Sequence, residues 1–304
     1  MEFLDEEKVR SLLRYEALLP AVERALVELS AGRIRQPVRS VLRLAEQGGI
    51  LALMPAIDGE LMGVKMVTVY EGNRGQPTHQ AVIQLFSAKT GEPLLAMDGR
   101  LITEMRTAAV SAVAVRVLAR TNARVLGILG SGVQARSHLR ALRLVRAFDE
   151  VRVWSRTEDH ARRFAQECGA RVMPSVEEAI RGADVVVSVA NTREPLVHGA
   201  WLARGALVCA VGAVGPDKRE LDDVAMQGAV VVESRAAGMR ESGDIIGSGA
   251  ELSAELGEIL AGSGKLFQPG QWTVFKSLGL GATDIAAAQI VFEEWKRSVA
   301  DFET

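Results

Sequence analysis

Cysteine is scarce. Cys168 and Cys209 are the only two in 304 residues, which excludes a disulfide scaffold and a cysteine-rich metal site and fits a reducing compartment. Histidine is nearly as rare (His79, His138, His160 and His198), and no two stand at metal-ligand spacing. No apolar run reaches the roughly 18 residues of a membrane-spanning helix. The N-terminal Met-Glu-Phe-Leu-Asp-Glu-Glu-Lys is acidic and lacks a signal-peptide core, so the expected compartment is the cytoplasm. A large excess of either charge is missing too: the net charge is −2, and nothing in it draws a nucleic acid or an anionic membrane. Repeats and low-complexity linkers are absent. What is present, 48% hydrophobic and 24% charged residues, is the make-up of a globular enzyme, with length enough for two domains.

The most informative segment is Val125-Leu126-Gly127-Ile128-Leu129-Gly130-Ser131-Gly132-Val133-Gln134-Ala135. An apolar strand runs into a glycine turn and then into a helix. Gly130 permits the tight turn and Gly132 lets a pyrophosphate approach the backbone. Ala135 lets the helix pack against the strand, and the free N–H groups of its first turn face the phosphates. This is the dinucleotide pattern Gly-x-Gly-x-x-Ala, with Gly130, Ser131, Gly132, Val133 and Gln134 as cofactor candidates.

The next strand indicates which dinucleotide. An NAD site places Asp or Glu at its end, about 20 residues beyond the first glycine, to bind the ribose 2′-hydroxyl. Here Val151-Arg152-Val153-Trp154 ends in Ser155-Arg156-Thr157, and Glu150 lies at the wrong end. A hydroxyl and a guanidinium suit a 2′-phosphate that a carboxylate would repel. NADPH is therefore the expected cofactor. The plain alternative is a solvated Arg156 and a Thr157 that only caps the next helix.

The strand and helix patterns divide the chain. Asp5 is expected to cap a short helix, with an amphipathic helix over 17–31. Strands are expected over 38–44, 49–55, 63–70, 81–87 and 94–97, and a helix over about 100–119. Strands near 124–130, 151–154, 184–189, 206–211 and 229–232 then alternate with helices, the order of a doubly wound parallel sheet. A final helix, about 281–298, returns to the first domain. The expected fold is α/β: a Rossmann domain, 120–280, inserted in a discontinuous α+β dimerisation and substrate domain, 1–119 plus 281–304. The ends of the strands at 184–189 and 206–211 add Val189, Ala190, Asn191, Gly212 and Val214 to the cofactor candidates. The apolar edges of the first domain point to pairing with a second copy.

Three cations stand out in that first domain: Arg39, Lys65 inside Gly63-Val64-Lys65-Met66-Val67-Thr68, and Arg106 on a helix of small apolar residues. Singly, each reads as a surface ion, and a lysine between valines usually points outward.

The ordered segments Arg-Gln-Pro-Val-Arg (35–39), Val-Lys-Met-Val-Thr-Val-Tyr-Glu (64–71), Pro-Thr-His-Gln-Ala (77–81), Arg-Thr-Ala-Ala-Val-Ser-Ala (106–112), Gly-Ser-Gly-Val-Gln-Ala (130–135) and Trp-Ser-Arg-Thr (154–157) resemble the ornithine cyclodeaminase/mu-crystallin family. So do Arg-Glu-Leu-Asp (219–222), Glu-Ser-Gly-Asp (241–244) and Phe-Lys-Ser-Leu-Gly (275–279). The likeness spans nearly the whole chain and is greatest to the family's ketimine reductases. It implies a homodimer in which Arg39 and Arg106 hold a substrate carboxylate and Lys65 lies beside the reacting carbon and nitrogen. Thr78 and His79 would line the site, and Lys276 and Ser277 would lie near it. Where the cyclodeaminases carry a proton-accepting Asp, this chain has Val214, which argues against ornithine cyclisation.

The resemblance therefore implies NADPH-dependent reduction of the C=N bond of a cyclic ketimine carboxylate, of the piperideine- or pyrroline-2-carboxylate type, to an L-amino acid. An alanine dehydrogenase or reductive aminase of 2-keto acids would use the same residues. A thyroid-hormone-binding or crystallin-like role would not need the intact Arg39, Lys65 and Arg106 set.

Overall fold

A computed structural model of the chain describes residues 2–263 and 270–303. The chain forms two compact units, residues 1–106 with 279–304, and residues 107–278.

The first unit opens with β1 (Phe3–Leu4), α1 (Glu6–Leu12) and α2 (Tyr15–Ser30). Asp5 caps α1 by accepting from Lys8 N at 2.8 Å, as its place before an apolar-periodic run predicts. Then come β2 (Ser40–Leu44), β3 (Gly49–Asp58), β4 (Leu61–Tyr70), β5 (His79–Ser87) and β6 (Pro93–Asp98). They form a six-stranded sheet in the order β1-β6-β5-β4-β3-β2, antiparallel except for β1 with β6. The five long strands are those the alternation predicts; β1 has only two residues and shows no period. β2 forms one edge, and Val41 and Leu42 on it are exposed. α3 (Arg100–Leu118) follows, and the boundary between the units falls within it.

The second unit runs β7 (Val125–Leu129), α4 (Val133–Val145), β8 (Glu150–Trp154), α5 (Glu158–Cys168), β9 (Arg171–Val172), α6 (Val176–Ile180), β10 (Val185–Ser188) and β11 (Leu207–Ala210). It continues with β12 (Ala229–Val232), α7 (Arg235–Glu241), α8 (Gly243–Ser248), β13 (Leu252–Glu255), α9 (Leu256–Leu260) and β14 (Thr273–Lys276). All eight strands are parallel, in the order β13-β12-β14-β11-β10-β7-β8-β9. β10, β11 and β12 are buried along their whole length, which is why they read as unbroken apolar runs. Three strands beyond the five expected complete the sheet: β9, β13 and β14.

The last helix, α10 (Gly281–Glu303), belongs to the first unit and packs on α2 and on the face of β3 and β4. Two glycines permit this. A Cβ at Gly63 would lie 2.6 Å from Ile285 Cδ1, and one at Gly281 would lie 2.9 Å from Met54 O. Among the described residues no helix is long and apolar enough to cross a membrane. Both cysteines are free thiols.

Candidate functional site

In the first unit the site begins with the pleat of β4. Lys65 pairs with Met54 of β3 and Ile83 of β5. It shares its sheet face with Gly63 and Val67, the face that is buried, while Met66 points the other way and is exposed. Lys65 is only 1% exposed. A lysine on a covered face needs a partner, and α10 supplies one from its first turn. Lys65 Nζ lies 2.7 Å from Asp284 Oδ2. Arg106 Nε donates to the other oxygen, Asp284 Oδ1, at 2.8 Å.

Arg106 Nη1 is buried without a hydrogen-bond partner. Its guanidinium lies against Gly279 (φ +79°), where a Cβ would come within 2.7 Å of Nη1 and Nη2. Arg39, half-buried, donates from Nη2 to Gly279 O at 2.7 Å. The cluster thus gathers three cations and one carboxylate. The Lys65 pKa is lowered to about 7, chiefly by burial and also by the neighbouring Arg106 and Arg39, with Asp284 opposing the fall. An amine titrating near neutrality can hold or release a proton at working pH.

The structure brings Arg39, Lys65 and Arg106 together but not Thr78 and His79. Both are exposed, and Thr78 Oγ1 and His79 Nδ1 are 3.1 Å apart. His79 pairs with Val69, on the same sheet face as Lys65 but four residues further along the strand, roughly 13 Å at a strand's rise.

In the second unit the cofactor candidates gather at the carboxyl ends of four adjacent strands, β11, β10, β7 and β8. This is where open parallel sheets bind ligands. Gly130 has φ +117°, and a Cβ there would meet Val189 Cγ2 at 3.2 Å and Ala190 N at 3.3 Å. Gly132 is the N-cap of α4, with no side-chain cap and nothing within 4 Å of an added Cβ. Backbone is thus open to approach at Gly132, and Gln134 Oε1 is buried with no partner. Ser131 Oγ donates to Ser155 Oγ at 2.9 Å, tying the turn to the end of β8. Arg156 is exposed, with Nη2 3.4 Å from Asn191 O. Thr157 stands at the N-cap of α5, but its hydroxyl makes no cap bond. Among the described residues no carboxylate stands at the end of β8, where Ser155 follows Trp154. A dinucleotide fits this cradle. Gly212 lies against the end of β10, where a Cβ would meet Ala190 O at 2.2 Å, and Val214 is half-buried beside it.

Two features escaped the sequence reading. One is Asp284. The other is a buried charge network in the second unit. Lys276 Nζ lies 2.6 Å from Glu220 Oε1, 2.9 Å from Asp244 Oδ2 and 2.8 Å from Ala213 O. Burial alone would lower the Lys276 pKa, but the two facing carboxylates outweigh it and raise it. All the network's residues lie in segments that carry the family resemblance, yet nothing in their spacing shows that they meet.

A parallel sheet with a glycine phosphate turn, joined in one chain to an antiparallel unit holding a buried lysine and arginines, defines a dinucleotide-dependent enzyme of two-part design. The chain belongs to the ornithine cyclodeaminase/mu-crystallin family, whose model matches residues 1–299. It is 45% identical to the ketimine reductase mu-crystallin of Mus musculus over 96% of this chain and 97% of that protein. The delta(1)-pyrroline-2-carboxylate reductase of Thermococcus litoralis, solved with NADH and L-proline, superposes with a TM-score of 0.93 at 34% identity, covering 98% of each chain. An archaeal alanine dehydrogenase dimer with bound NAD superposes with a TM-score of 0.92 at 33% identity, covering 97% of this chain and 96% of that one.

Proposed function

We propose that this protein is an NADPH-dependent reductase of cyclic ketimine carboxylates of the piperideine- or pyrroline-2-carboxylate type. The observation that carries the reading is the buried cluster of Lys65, Arg106 and Asp284, in which Arg106 Nη1 has no partner. A buried guanidinium N–H without an acceptor is costly. A substrate carboxylate supplies the acceptor, and the Arg39 guanidinium adds a second fork. Two forks fix the plane of the carboxylate, and with it the C=N bond attached to it. Lys65 Nζ shares its proton with the imine nitrogen, because an iminium accepts hydride far better than a neutral imine. The bound nicotinamide supplies the hydride. Gly130, Ser131, Gly132, Val133 and Gln134 would hold its pyrophosphate, and Ser155, Arg156 and Thr157 the 2′-phosphate. Val189, Ala190, Asn191, Gly212 and Val214 would border the rest. The exposed apolar edge at β2 supports a homodimer, and the two free thiols suit a cytoplasmic enzyme.

The reading is tested by following NADPH absorbance with piperideine-2-carboxylate, and separately with pyruvate plus ammonium or methylamine. Rapid oxidation with the cyclic imine alone is expected. Oxidation only with keto acid and amine would replace this reading with a reductive aminase or an amino-acid dehydrogenase, the archaeal neighbour being an alanine dehydrogenase.

Cofactor choice has its own test. Arg156→Ala is expected to raise KM for NADPH about tenfold or more, the scale of one charge-assisted contact, and to leave KM for NADH nearly unchanged. Equal effects on both cofactors would remove Arg156 from 2′-phosphate recognition.

A further inference from the structure

The Lys276 network has no part in the chemistry above, yet two carboxylates and an ammonium are fully buried in it. A buried ion cluster of this kind is rarely worth more to stability than apolar packing. Its contacts suggest a different use. Glu220 Oε2 accepts from Gly212 N and Oε1 from Ala213 N, both at 3.1 Å. Lys276 Nζ donates to Ala213 O at 2.8 Å. The N–H and the C=O of Ala213 are thus both held by buried charges. Asp244 Oδ1 accepts from Glu220 N and Leu221 N at 2.8 and 2.9 Å, so it fixes the chain from which Glu220 reaches out. Gly212 N also donates to Ser188 O at 3.0 Å, and Gly212 lies against Ala190 O with no room for a Cβ. The contacts of Glu220 and Lys276 with the backbone end on the short segment after β11, and Asp244 acts on it through Glu220.

We propose that Lys276, Glu220 and Asp244 are positioning residues that lock the peptide groups of Gly212 and Ala213, and so set the face this segment presents to the nicotinamide nucleotide. The proposal rests on the reading that Gly212 and Val214 border that nucleotide. The carboxylate of Glu220 is essential because it alone among side chains of its length accepts from two parallel N–H groups while also facing an ammonium. A glutamine has one acceptor oxygen, and its NH2 would confront either a backbone N–H or Lys276.

The test is Glu220→Gln, with two readouts in the full-length protein. The first is amide hydrogen exchange without cofactor. Exchange at Gly212 and Ala213 is expected to speed up, with β10 and β11 unchanged. The second is NADPH titration by fluorescence. Kd is expected to rise about tenfold, the scale of one lost charge-assisted hydrogen bond. KM for the carboxylate substrate at saturating NADPH is expected to stay within about twofold, since Arg39, Lys65 and Arg106 are untouched. If Glu220→Gln does not fold, Asp244→Asn serves, with smaller effects expected in the same direction. Faster exchange spread over the whole sheet would make the network purely structural and overturn the proposal. So would unchanged NADPH affinity in a folded Glu220→Gln protein. If the unmutated protein binds no nicotinamide nucleotide, the functional reading fails, while the exchange comparison still decides whether the network locks this segment.

Discussion

Lys65→Met is expected to lower turnover by about 10²- to 10⁴-fold, the span usually lost with a general acid, while leaving NADPH affinity unchanged. Methionine matches the lysine stem in length and is at home in the buried, apolar face of β4 that Gly63 and Val67 share. Asp284 keeps its bond from Arg106 Nε, so the carboxylate is not stranded. The cofactor candidates are all in the second unit, on other strands. What the variant loses is a buried amine whose pKa is lowered to about 7, the proton donor of the proposed mechanism.

That value carries a pH signature. If turnover needs protonated Lys65, the rate falls as pH rises through about 7. A ketimine substrate titrates too, so a profile of the unmutated enzyme alone is ambiguous. A limb that is present there and missing in Lys65→Met belongs to Lys65. Stability runs the other way. The folded-state pKa is depressed from 10.5, so between about pH 7 and 10.5 the unfolded chain binds more protons than the folded one. This group's cost to stability is therefore full below pH 7 and is relieved as pH rises. Steady-state rates and a fluorescence titration check the prediction. Undiminished turnover would take Lys65 out of the mechanism.

How much of this was legible in the sequence follows from which constraints are local. The turn at Gly130 is written in the chain because only glycine tolerates φ +117° against Val189 and Ala190. The strands β10, β11 and β12 are legible because burial on both faces demands continuous apolar runs. β9 has only two residues, and β13 (Leu-Ser-Ala-Glu) and β14 (Thr-Val-Phe-Lys) lack the unbroken apolar run of the other four-residue strands. β14 also ends in the lysine of a buried network, which reads as a surface residue.

Lys65 illustrates a deeper limit. Alternation fixes which residues share a face but not which face is covered. A lysine between valines reads the same either way, and only the docking of α10 decides that it is buried. Asp284 was missed for the same reason. Its partner Arg106 is 178 positions away, and an Asp in the first turn of a helix has an ordinary explanation in the helix dipole. The family resemblance supplied Arg39, Lys65 and Arg106 as a set. The carboxylate that joins two of them came from the fold.

Asp284→Asn is the variant that probes this junction, and it is expected to cost about 3–5 kcal/mol of stability, the range for breaking a buried ion pair by removing one partner. Asp284 is fully buried between two cations. Asparagine keeps an oxygen for Arg106 Nε but turns an NH2 toward Lys65 Nζ. An NH2 donates to a neutral amine and repels an ammonium, so the substitution favours deprotonated Lys65. Both the charge of Asp284 and its hydrogen bond hold the lysine pKa up; without them it falls below about 7. The alkaline limb of the rate profile is therefore expected to move to lower pH, with activity weak at pH 7 and partly recovered in acid. A purely structural aspartate would lower stability and leave that limb in place. A carboxylate ligand offers a further check. It brings back the negative charge the variant lacks, so a saturating carboxylate inhibitor is expected to raise Tm more in Asp284→Asn than in the unmutated protein. An unmoved pH limb, with equal Tm shifts in the two proteins, would mean that Asp284 does not govern the charge state of Lys65.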